Sequence, residues 1–172
     1  MDAKKPVRIV IVEDDPRFLE SVRLLFVDTP SIEVAGSYTT GKDAIKGIIE
    51  KRPDVALIDL GLPDISGVEI IKEISEKGCN TELLVLTVYN DDEHLFSALK
   101  AGAIGYIVKN EASLSEIVSA IDEAVKGGAP MSMDMARRVL NEFREIPKKL
   151  KKPEIKALTE RDRGARISLK RL

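Results

Sequence analysis

Residues 1–127 predict an open α/β fold: a five-stranded parallel sheet with helices wound on both faces. Two patterns carry this. Short apolar runs rich in Val and Ile, each too brief for a buried helix, alternate five times with segments of helical spacing. Four of those runs also end directly on a polar side chain, which is where open α/β sheets place their ligands.

The first strand is Val7–Val12, continuous in the manner of a strand buried on both faces. Asp15-Pro16 then reads as an N-cap followed by proline at the first helical position, and Phe18, Val22 and Leu25 share one face of that helix. Ile32–Tyr38 is a weaker strand. Ala44/Ile45 and Ile48/Ile49 mark a second helix, and Val55–Ile58 a third strand. Leu83–Leu86 and Tyr106–Val108 supply the last two strands, with His94 on a helix between them as a surface residue. The longest stripe, Leu114, Ile117, Val118, Ile121 and Val125, closes the alternation. Gly127-Gly128-Ala129-Pro130 then breaks the pattern. Met133, Ala136, Leu140 and Phe143 share one face of a further helix, and Met131, Met133 and Met135 read as packing residues of this linker. The expected organisation is a domain over 1–127, a linker with an amphipathic helix over 128–153, and a third segment over 154–172.

Composition sets outer limits. A chain of 172 residues holds one well-buried domain and an appendage. No apolar run reaches the roughly 18 residues a membrane span needs, and the first strand follows an N-terminus without a signal-peptide core. Cys79 is the only cysteine, which excludes an internal disulfide. A cytoplasmic location is the expectation. Residues 146–172 carry ten Lys/Arg against three Asp/Glu, a net of +7, so residues 1–145 carry −9 of the chain's −2. An acidic body with a basic tail fits either a nucleic-acid-facing tail or a solvated one.

The polar strand ends are Glu13-Asp14, Asp59, Thr87 and Lys109. Alone, an Asp after a strand is a turn or cap residue. Together they converge on one sheet edge. Three neighbouring carboxylates repel unless a cation joins them, and oxygen ligands at a partly open site suit Mg²⁺. A carboxylate can attack a phosphoryl group to form an acyl phosphate, while a metal and a lysine neutralise the transferred oxygens and a hydroxyl donates to one of them. Gly41-Lys42 is no phosphate loop, because the upstream glycine and following Ser/Thr of that motif are missing.

Val55–Gly67, with its Asp59-Leu60-Gly61-Leu62-Pro63 core, resembles the phosphoacceptor loop of two-component response regulators. Glu13-Asp14, Leu86-Thr87 and Gly102–Lys109 match that family's remaining motifs in order and spacing, and the resemblance covers residues 7 to about 127. It implies a flavodoxin-like sheet in the order 2-1-3-4-5. It makes Asp59 the phosphoacceptor, supplied by a sensor histidine kinase, and Asp14, Asp59 and the Gly61 carbonyl direct Mg²⁺ ligands, with Glu13 acting through a water. Thr87 is then the switch hydroxyl, Tyr106 the switch aromatic whose ring turns inward on phosphorylation, and Lys109 the phosphate counter-charge. Glu13 stands where Asp is commoner. Asn110 follows Lys109 where many receivers have proline, a departure that points to the LuxR (NarL/FixJ) type.

That resemblance implies a signalling switch, with slow autodephosphorylation, whose phosphorylation alters a protein–protein surface and which can homodimerise through the receiver. An aspartyl-phosphate phosphatase is the competing reading; it needs a general-acid Asp two residues after the nucleophile, where this chain has Gly61. Leu158-Thr159-Glu160-Arg161 resembles the opening of a LuxR-type helix-turn-helix domain. Asp162–Leu172 has no room for a recognition helix, so the expectation is an incomplete output domain, no specific DNA binding by these residues, and a DNA-binding parent protein.

Overall fold

The computed structural model describes residues 4–148. Five strands, β1 (Val7–Val12), β2 (Ile32–Tyr38), β3 (Val55–Ile58), β4 (Glu82–Thr87) and β5 (Gly105–Val108), alternate with α1 (Pro16–Val27), α2 (Gly41–Lys51), α3 (Gly67–Glu76), α4 (Asp92–Ala101) and α5 (Leu114–Val125). The strands are parallel in the order β2-β1-β3-β4-β5. The expected flavodoxin-like arrangement is therefore present. Strand order reverses between β1 and β3, so their carboxyl ends open the crevice in which such sheets bind ligands.

Alternation along each strand divides the core between the faces. Ile9, Ile11, Val55, Leu57, Leu84, Leu86 and Ile107 face Val22 and Phe26 of α1 and Ile117, Ala120, Ile121 and Ala124 of α5 in one cluster. Their neighbours Val10, Val12, Ala56, Ile58, Leu83 and Val85 are equally buried on the opposite side. There α2 packs on α3 and α3 on α4.

Local chemistry fixes the helix starts. Asp15 caps α1 by accepting the Arg17 N–H at 2.9 Å, with Pro16 in the first turn as expected. Ser66 with Glu69 and Ser113 with Glu116 form capping boxes at α3 and α5. At Gly67, a Cβ would lie 2.2 Å from the Asp59 carbonyl oxygen. Only glycine lets α3 begin that close to the backbone of the β3 end.

Two expected helix faces are narrower than the apolar pattern. Ile49, Leu114 and Val125 are exposed. At 3.6 residues per turn, Leu114 and Val125 lie about 60–80° round α5 from Ile117, on the flank of a face completed by Ala120 and Ala124. A helix does form over 133–148. Of its expected face, Met133, Leu140 and Phe143 are exposed and Ala136 is half-buried. Among the described residues, no helix is long and apolar enough to cross a membrane. The end of the basic linker and the helix-turn-helix-like opening at Leu158–Arg161 lie outside the described residues.

Candidate functional site

Among the described residues, the polar or charged residues buried as a whole outside the tyrosines are Glu13, Asp59 and Thr87, at 2%, 7% and 0% exposure, and the Lys109 side chain is buried with them. All stand at strand carboxyl ends. Backbone hydrogen bonds continue the sheet by one step to hold them there. The Asp59 N–H donates to the Val12 carbonyl at 3.0 Å, that of Glu13 to Tyr38 at 2.9 Å, and that of Lys109 to Thr87 at 2.8 Å. Burying carboxylates and a hydroxyl at the sheet edge costs folding free energy, which sets this cluster apart from ordinary caps and turns.

The carboxylate oxygens of Glu13, Asp14 and Asp59 come within 4.8 Å of one another, with Asp14 exposed to solvent. The Lys109 ammonium reaches into the group from β5, hydrogen-bonded to Glu13 Oε2 and 3.2 Å from Asp59 Oδ2. It also lies 4.3 Å from the centroid of the Phe18 ring, whose face favours a cation. One ammonium against three carboxylates leaves a formal excess of two negative charges. That balance suits a divalent cation, and oxygen donors with one solvent-facing member suit Mg²⁺. Burial pushes the Glu13 carboxyl above its ordinary 4.5; hydrogen bonds from Lys109 and from the Asp15 N–H oppose that shift without cancelling it. Both Glu13 oxygens are engaged, Oε1 by the Asp15 N–H at 2.9 Å and Oε2 by Lys109.

On the far side of Asp59, the Gly61 N–H lies 3.4 Å from Oδ1. Thr87 Oγ1 is buried with no hydrogen-bond partner. An unsatisfied buried hydroxyl costs about 1–3 kcal/mol, and this one can donate to an acceptor that enters the site. Tyr106 is fully buried and donates its hydroxyl to the Tyr89 carbonyl at 2.8 Å. The ring expected to turn inward on phosphorylation is already inside, because that carbonyl gives its hydroxyl a partner there.

Glu13, Asp14, Asp59 and Lys109 thus form one constellation, with Thr87 at the adjoining strand end. Three contributors have no sequence signal as site residues. Phe18 reads as an ordinary core position. Tyr89 lies in a loop, where no periodicity tells which way a side chain points. His94 is on the surface as expected, but it stacks on Tyr89.

Residues 9–122 match the model of the response regulator receiver domain. The transcriptional regulatory protein DegU of Brevibacillus brevis is 28% identical over 140 residues, which are 81% of this chain and 59% of that protein. The chain therefore spans about three fifths of that relative's length. A LuxR-family two-component response regulator from Aurantimonas has a similar crystal structure, with a TM-score of 0.73 and 29% identity over 80% of this chain and 98% of that one. The signal receiver domain of the putative response regulator NarL from Mycobacterium tuberculosis gives a TM-score of 0.69 and 29% identity, over 72% of this chain and 98% of that one.

Proposed function

The chain belongs to the response regulator receiver family, and from that premise we propose that Asp59 accepts a phosphoryl group from a sensor histidine kinase and so switches a protein–protein surface. The observation that carries this reading is the burial of Glu13, Asp59 and Thr87 around one lysine, with the Thr87 hydroxyl lacking a partner. In the step itself, an Asp59 oxygen bonds to phosphorus while the bond to the donor nitrogen breaks and its electron pair leaves with the donor imidazole.

Each residue has a role in that step. Lys109, already beside Asp59, faces the transferred oxygens as counter-charge. The Thr87 hydroxyl donates to one of them. Asp14, Asp59 and the Gly61 carbonyl would hold Mg²⁺ directly. Glu13 would hold it through water, a role supported by the hydrogen bonds both its oxygens already carry. Mg²⁺ bound there supplies positive charge to the phosphoryl oxygens. Tyr106, on β5, which pairs with the strand of Thr87, would carry the change to the α4–β5–α5 face.

The wider assignment follows the relatives. A receiver over 1–127, a linker over 128–153 and the start of an output domain over 154–172 would make the parent a cytoplasmic DNA-binding transcriptional regulator, dimerising through its receiver. Acetyl phosphate with Mg²⁺ should add one phosphoryl group to the wild-type chain and none to Asp59→Asn, read by intact mass. Equal labelling of the two proteins would overturn the assignment.

A further inference from the structure

The Phe18 ring touches the Lys109 ammonium, yet it binds neither metal nor phosphate. Its place follows from the β1–α1 turn. Glu13 Oε1 accepts the Asp15 N–H at 2.9 Å, and Asp15 Oδ1 accepts the Arg17 N–H at 2.9 Å as the N-cap of α1. The turn that sets Glu13 therefore also starts α1 and brings Phe18, in the first helical turn, to the acceptor pocket. There the side chain packs against the core cluster that includes Val22 and Phe26, which fixes the ring. The Lys109 ammonium lies over it, 4.3 Å from the centroid. Only 8% of the lysine side chain is exposed, so water competes little for that contact.

Phe18 differs from Glu13 and Asp59, which also hold the ammonium, in what the reaction does to it. In the roles proposed for them, both carboxylates serve Mg²⁺, and Asp59 becomes an acyl phosphate. Their hold on Lys109 weakens as that happens, and a divalent cation beside them repels the ammonium. A lysine is a point charge on a flexible four-carbon stem, so the side chain itself does not keep its place. An aromatic face is no ligand for Mg²⁺, does not titrate and takes no phosphoryl group. We propose that Phe18 is a positioning residue whose ring keeps the Lys109 ammonium at Asp59 while metal and phosphoryl group draw on the two carboxylates. The inference rests on the acceptor role of Asp59. With acetyl phosphate as donor, an Asp59 oxygen bonds to phosphorus as the bond from phosphorus to the acetyl oxygen breaks. Acetate leaves with that electron pair, and Lys109 faces the transferred oxygens throughout.

The test uses the full 172-residue chain with acetyl phosphate and saturating Mg²⁺, the rate of phosphorylation being read by intact mass. Phe18→Leu, which keeps an apolar side chain against the core, should slow the reaction about five- to thirtyfold, the size of a cation–π contact largely out of water. Mono-, di- and trifluorinated phenylalanine placed at position 18 nearly keep the ring's size while draining negative charge from its face. The rate should fall step by step along that series. A second readout needs no reaction. In NMR spectra the Lys109 Cε protons, held over the ring, should resonate upfield of an ordinary lysine. They should stay there when Mg²⁺ alone is added, and lose the shift in Phe18→Leu. A wild-type rate in Phe18→Leu, a flat fluorine series, or Lys109 signals that leave the upfield position with Mg²⁺ would overturn the positioning role while leaving the acceptor assignment standing. Should Phe18→Leu not fold, the fluorinated chains decide. A wild-type chain that takes no phosphoryl group would overturn the acceptor assignment, and the inference with it.

Discussion

Replacing Lys109 by Met removes the one ammonium that neutralises two buried carboxylates while keeping most of the side chain's length. At 3.2 Å and an effective dielectric of about 20, its attraction to Asp59 is about 5 kcal/mol before desolvation. Without it, Glu13 and Asp59 face each other across no more than 4.8 Å, a repulsion of at least about 3 kcal/mol on the same scale. Breaking one side of a buried pair costs about 3–5 kcal/mol in practice, so the Tm of Lys109→Met in chelator should fall by about 10 °C or more.

The pH dependence gives the sharper test. Burial holds the Glu13 carboxyl above 4.5, so its fold prefers the protonated form. The stability it contributes is fully present below 4.5 and is lost as pH rises through the raised value. Lys109 is the largest influence opposing that shift, so its removal raises the Glu13 value further and extends the loss to higher pH. The variant's Tm should therefore fall more steeply than the wild type's as pH rises above 4.5. Mg²⁺ should restore more stability to the variant than to the wild type. Parallel Tm–pH curves, or a variant whose melting Mg²⁺ leaves unchanged, would refute the claim that these carboxylates share one buried site with Lys109.

Thr87→Val deletes a buried hydroxyl that has no partner, so the resting Tm should hold or rise by a few degrees. Phosphorylation of Asp59 should persist in that variant while the amide-exchange response of the α4–β5–α5 face is lost; an unchanged response would remove Thr87 from the switch. The Asp64 carboxylate accepts the Gly41 and Lys42 N–H groups at 2.8 and 2.9 Å, which lower its pKa from 3.8 to about 2. Its stabilising contribution is present above 3.8 and lost as pH falls through about 2, so Asp64→Asn should flatten the acid limb of a stability–pH curve, and an acid limb unchanged by the mutation would count against this anchor. The 172-residue chain should bind no promoter specifically, with or without phosphate, and a gel-shift preference of about a hundredfold over scrambled duplex at physiological salt would contradict that.

Strand positions and the four polar strand ends were legible because both follow from rules of period and place. A run buried on two faces shows as continuous Val and Ile, and the residue after it has to lie at the sheet edge. Helix faces were less legible. A list of apolar residues at helical spacing does not say which flank meets the core, as Leu114 and Val125 of α5 show. Tyr89 was not legible at all. Its direction depends on the β4–α4 loop backbone, on an Asp91 cap that also grips His94, and on a glycine in another loop. These are tertiary coincidences with no local signature.

The buried position of Tyr106 changes what a phosphate at Asp59 has to accomplish. Its hydroxyl already has a partner inside, so turning the ring inward gains no further hydrogen bond there. The clearest unmet contact is the Thr87 hydroxyl, which a phosphoryl oxygen would satisfy through a charge-assisted bond worth about 1.5–3 kcal/mol. A ligand shifts a two-state equilibrium only by the difference in its interaction with the two states. That bond corresponds to a shift of about 10- to 150-fold, whereas moving from 1:99 to 99:1 needs about 10⁴-fold. Through Thr87 alone, phosphorylation would then carry this receiver at most from about one part in ten switched to about nine in ten, and never from fully off to fully on. A sharper response has to draw on a second differential contact. Lys109 can supply one, because its bond to Glu13 can be exchanged for a bond to the phosphate.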